Sequence, residues 1–114
     1  MAYAFAAPIP PGKTEAVRAF VAETLGPRKA ELDDLQRRSG VTEESYWLQT
    51  DPDGNDIMIV VSSSDQADFW AIMANPQTDF DRWYRNQIES IWEFDASQPL
   101  GTRNELLGTW SAAG

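Results

Sequence analysis

The chain has 114 residues, 18 of them acidic and 9 basic, for a formal charge of −9, and it contains neither histidine nor cysteine. That size suits one domain. The missing residues exclude disulfides, thiolate or imidazole metal sites, and every nucleophile that depends on a histidine partner. The net negative charge would repel a phosphate backbone or an anionic membrane, and the basic residues are too scattered to grip one, so neither is expected as a partner.

Ala2 to Ile9 reads as a strand, with Tyr3, Phe5, Ala7 and Ile9 on one face and alanines on the other. Pro10-Pro11-Gly12 ends it. From Lys13 the apolar period lengthens to that of a helix, through Val17, Phe20, Val21 and Leu25. Gly26-Pro27 kinks or briefly breaks this helix. The stripe resumes at Leu32 and Leu35 and stops near Ser39-Gly40.

Val41 to Asp51 reads as the second strand. Tyr46 and Leu48 share one face, Val41 and Trp47 the other, and both sets are apolar enough to leave the facing open. Asp51-Pro52-Asp53-Gly54-Asn55 is a turn, and the apolar run Ile57 to Val61 completes a hairpin. Its acids do not follow the spacing of a calcium loop. Ser63-Ser64-Asp65-Gln66 has the spacing of a helix cap. It opens a helix carrying Phe69, Trp70 and Met73, broken at Asn75-Pro76. Thr78-Asp79-Phe80-Asp81 caps the next, whose stripe runs Phe80, Trp83, Tyr84, Ile88, Ile91 and Trp92. Asp95 to Asn104 reads as a loop, Glu105 to Trp110 as a last short strand, and residues 111–114 as a flexible tail.

The element order predicts an α+β fold of ferredoxin-like βαββαβ form, its second helix in two pieces, within a single domain over residues 1–110. Helices in that arrangement cover one sheet face. The bare face predicts a homodimer, two sheets back to back, forming a dimeric α/β barrel. No run approaches the ~20 apolar residues of a membrane span, and the first residues lack a basic leader, so a cytoplasmic protein is expected.

Ile9-Pro10-Pro11-Gly12-Lys13-Thr14-Glu15, Gly26-Pro27-Arg28-Lys29, the Val41-to-Leu48 strand and Phe80-Asp81-Arg82-Trp83, in that order, resemble a family of short bacterial domains of the dimeric α/β barrel superfamily. This group is similar to the antibiotic-biosynthesis monooxygenases. The resemblance implies a small organic ligand between sheet and helices, and cofactor-independent oxygenation, cyclisation or isomerisation. Branches that use histidine are not models for this chain.

Without histidine, chemistry falls to other groups. Arg28, continuing the stripe through Val21, Leu25 and Leu32, could clamp a phenolate, enolate or carboxylate. Tyr46 could donate to an oxyanion. Glu43 or Glu44, whichever faces inward, could serve as general base. Trp47, Trp70, Met73, Trp83 and Tyr84 could wall a site for a flat aromatic or polyketide-like substrate, with Asn75 at its mouth. No metal or cofactor is called for. The alternatives are a non-catalytic ligand binder and a purely structural dimer.

Overall fold

The computed structural model describes residues 3–96 and 104–112. The expected loop at Asp95–Asn104 and the tail at 111–114 fall partly outside them. Among the described residues, three strands and four helices form: β1 (Tyr3–Pro8), α1 (Thr14–Leu25), α2 (Lys29–Arg38), β2 (Glu44–Thr50), β3 (Asp56–Ser62), α3 (Ala67–Ala74) and α4 (Asp79–Trp92). The fold is α+β, with an antiparallel sheet of order β1-β3-β2.

Register assigns the faces. Phe5 and Tyr46 both lie opposite Val60, and Ala7 and Leu48 opposite Met58. These residues, with Glu44 and Ser62, face the helices. Met58 and Val60 are buried there. The other face carries Ile57, Ile59, Val61 and Trp47. Among the described residues no helix covers it: Trp47 is 62% exposed and Val61 38%. The opposite facing of Tyr46 and Trp47 is thereby resolved, with Tyr46 inside.

The hairpin turn is tied by Asp51, whose Oδ1 accepts from the amides of Asp53 and Asn55 at 2.9 Å each. At α2 the amide of Val41 reaches the carbonyl of Gln36 at 2.9 Å and that of Gly40 reaches Arg37 at 3.2 Å. This is a Schellman ending, with Gly40 in the left-handed region at φ 71°. Thr78 and Asp81 form the expected capping box of α4.

Three expectations give way. The helix is broken at Gly26-Pro27, one of the two forms expected, but the expected stripe fails at its end, because the buried side of α1 stops at Thr24 and leaves Leu25 exposed. Gly26 is needed at the break, because a Cβ there would come within 2.9 Å of the Ala22 carbonyl. Helix α3 begins at Ala67, later than the Ser63-Ser64 cap implied, because Gln66 takes a left-handed φ of 72°. Ser64 Oγ accepts from the Gln66 amide and Asp65 Oδ1 from the Ala67 amide, so the serine and aspartate hold a turn rather than a cap.

The third is the last strand. Residues 104–112 form no strand, so the described sheet is an open three-stranded one without the ferredoxin-like βαββαβ order or a closed barrel. Leu106, Leu107 and Trp110 of this segment are exposed. The segment offers no alternation that this chain's own core could bury. It meets the edge of β1 where Asn104 Oδ1 accepts from the Ala4 amide at 2.6 Å. No helix among the described residues is long and apolar enough to cross a membrane.

Candidate functional site

A cavity of about 340 Å³ lies between the sheet and the helices, a size within the range of roughly 300–1,000 Å³ usual for small-molecule sites. The strands contribute Phe5, Ala7, Tyr46, Met58 and Val60 to its floor. Phe20 of α1, Phe69 and Trp70 of α3, and Tyr84, Ile88 and Trp92 of α4 form the roof, with Phe94 just beyond. Ala6 and Pro8 border it as well, so it reaches the outer edge of β1. Trp92 Nε1 donates to the Pro8 carbonyl at 3.1 Å and pins the helix to that edge.

The rings pack edge to face, not in flat stacks. Phe69 meets Trp70 at 5.0 Å between centroids and 80°, and Tyr84 meets Phe20 at 4.8 Å and 66°. That geometry follows the ring quadrupoles. It leaves the walls apolar and rigid.

One end is polar. Glu44 is the single charged residue among those lining the cavity, and it stands beside Tyr46, Gln66 and Tyr84. Its Oε1 accepts from the Tyr46 hydroxyl, in a very short contact, and from Gln36 Nε2 at 2.8 Å. Its Oε2 accepts from Gln66 Nε2 at 3.0 Å. Gln66 Nε2 also reaches Ser62 Oγ at 2.8 Å. Donors converging on both oxygens fit an ionised carboxylate, which only accepts. All three donors are neutral, and no described Lys or Arg pairs with Glu44.

The Tyr84 side chain lines the same end of the cavity as Tyr46. Burial, first of all, pushes both phenols well above their ordinary range; the negative charge of Glu44 adds to this in each case. Both therefore stay protonated across the working pH range and act as hydroxyl donors, not as phenolates. The result is a Tyr46–Glu44 hydrogen-bonded pair, with Tyr84 alongside, at the end of an aromatic cavity.

The sequence candidates divide. Glu44, Tyr46, Trp70 and Tyr84 come together at the cavity. Glu43 is exposed and borders a second, more open groove against α2, which Glu44 and Tyr46 also line. Trp47 points to the uncovered sheet face. Met73 is fully buried in the core and Asn75 is exposed at the end of α3. Trp83 lies outside the cavity, packed on Phe20 and Phe80.

Arg28 also leaves the site. The break at Gly26-Pro27 resets the helical phase and makes Arg28 the N-cap of α2. Its guanidinium lies over Trp83 at 4.4 Å and Phe80 at 4.9 Å from the ring centres. It donates to both oxygens of Glu31 at 2.9 and 3.0 Å. This is a packing cation, held bidentately by Glu31.

Gln36 and Gln66, which hold Glu44, did not stand out in the sequence. Gln36 follows Leu32 by one turn and so borders the buried stripe, a usable signal. Gln66 sat within a stretch that reads as a cap.

No family model matches the chain, and neither a curated protein nor a solved structure does.

Proposed function

We propose that the protein binds a flat, mainly apolar small molecule between its sheet and helices, the guest's polar end lying against Glu44 and Tyr46. The observation that carries this reading is an aromatic cavity with its few polar groups gathered at one end, the usual form of a small-molecule site. The apolar walls supply affinity by area removed from water. The Glu44 end fixes orientation.

The same end supports proton-transfer chemistry. A guest X–H bond that donates to the Tyr46 oxygen can lose its proton to that oxygen while Tyr46 passes its own to Glu44. No phenolate accumulates in that exchange. Abstraction of this kind would begin the cofactor-independent oxygenation, cyclisation or isomerisation implied by the family resemblance. Arg28 has no part in it.

The reading includes a homodimer. The helix-free sheet face, with Trp47, Ile59 and Val61, would be covered by a second copy, and two such sheets back to back would form the dimeric α/β barrel. Sedimentation of the wild type as a dimer, and of Trp47→Lys as a monomer, is the expected result; a wild-type monomer would remove this part.

The binding test uses 1-naphthalenemethanol, a neutral bicyclic alcohol. Saturating alcohol should raise the melting temperature and give a calorimetric isotherm. Ala7→Phe, which fills the floor, should abolish both. No shift in the wild type, or unchanged binding by Ala7→Phe, would refute the site.

A further inference from the structure

We infer that the cavity selects a cationic guest, an arylalkyl ammonium or comparable protonated amine, with Glu44 as its counter-ion. The inference rests on the binding reading above and names the class of molecule it serves.

The argument starts from charge. Glu44 is half-buried at the end of an apolar cavity, and only neutral groups hold it. A carboxylate partly withdrawn from water, and held by neutral groups alone, gains from a cation that meets it. The three donors leave capacity: Oε1 accepts two hydrogen bonds and Oε2 one, whereas an ionised carboxylate offers about four acceptor sites. The unfilled site is on Oε2. An ammonium with its three N–H donors can fill it.

The walls point the same way. Faces of Phe, Tyr and Trp attract cations through their quadrupoles. Phe5, Phe69, Trp70 and Trp92 line the same space as Glu44. A phenolate or carboxylate guest would meet the opposite field. It would face the negative charge of Glu44 and electron-rich rings, with no guanidinium or ammonium among the lining residues. Removal of Arg28 to the Trp83 and Phe80 rings is what reverses the anion-binding expectation.

Three probes of nearly equal shape separate the possibilities by calorimetry at pH 7: 1-naphthylmethylamine as cation, 1-naphthalenemethanol as neutral isostere and 1-naphthoic acid as anion. The amine should bind at least about tenfold tighter than the alcohol, the size of one desolvated cation–π or ion-pair contact, and the acid weakest. The protein's overall charge of −9 attracts any cation, so Glu43→Gln, the same charge change just outside the cavity, serves as control. It should leave the amine-to-alcohol ratio unchanged, while Glu44→Gln should lower it at least severalfold, the aromatic faces keeping the remainder, and an unchanged ratio in Glu44→Gln overturns Glu44 as the counter-ion. Equal binding of amine and alcohol by the wild type, or tightest binding of the acid, overturns the cation preference and leaves the binding site standing. Failure of all three probes overturns both. The wild-type ratio decides the matter even if Glu44→Gln does not fold.

Discussion

Replacement of Asp81 by alanine is the sharpest test of how α2 and α4 are held over the sheet. Asp81 has no solvent exposure. Its oxygens accept from Arg38 at 2.8 and 2.9 Å and from the amides of Gln77 and Thr78 at 3.0 and 3.2 Å. Breaking a buried pair by removing one partner costs about 3–5 kcal/mol. Two features favour the lower end. Arg38 keeps its bond to Asp34 at 2.9 Å and is 22% exposed, so water can reach it. Gln77 is itself exposed. The expected loss is about 3 kcal/mol, a large part of the roughly 5–15 kcal/mol that holds a domain together. For a chain of this size that is a fall of about 12 °C in Tm. Urea denaturation followed by circular dichroism measures it, and a loss under about 1 kcal/mol would refute the reasoning. The acid dependence gives the sign. Burial alone would raise the Asp81 carboxyl, but Arg38, the Gln77 amide and the Thr78 hydroxyl outweigh it and hold the group below its ordinary value. Its contribution is therefore complete above the unfolded-state value of about 3.9 and fades as pH falls through the lower folded value. The gap between wild type and Asp81→Ala should be full at neutral pH and shrink below about pH 4.

Two further outcomes follow from the placement of single side chains. Arg28→Ala should lower stability by about 0.5–2 kcal/mol through lost contact with Trp83 and Phe80, yet leave binding of 1-naphthalenemethanol unchanged; a tenfold weaker affinity would return Arg28 to the site. Ser39 Oγ is buried and, among the described residues, has no hydrogen-bond partner, so Ser39→Ala should stabilise the protein by about 1 kcal/mol in urea denaturation, and a loss of that size would mean the hydroxyl is bonded after all.

Much of the architecture is legible because local chemistry and tertiary packing agree. The period change at Lys13, the Asp51-to-Asn55 turn and the Thr78 capping box each state their element within a few residues. Expectations failed where a short-range exception decided a long-range result. Gly26-Pro27 turns Arg28 by less than one helical turn, which is enough to move a cation from a presumed site to an outer aromatic face. Gln66 spends backbone strain in a left-handed conformation, and its amide thereby reaches Glu44, 22 residues away in sequence. No periodicity encodes that contact. The facing of β2 was equally hidden, since Tyr46 and Trp47 are both aromatic; only the pairing of Tyr46 with buried Val60 separates them.

The sheet is three ribbons wide, and β3 alone has neighbours on both sides. Among the described residues the outer ribbon β1 has a strand along one flank, its other edge being held by single bonds from Asn104 and Trp92, and it also supplies residues 5–8 to the cavity rim. Amide protons should accordingly exchange slowest in the middle ribbon and sooner toward its margins. Were the proposed guest to enter past β1, its arrival would keep pace with the fraying of that margin and would need no hinged cover.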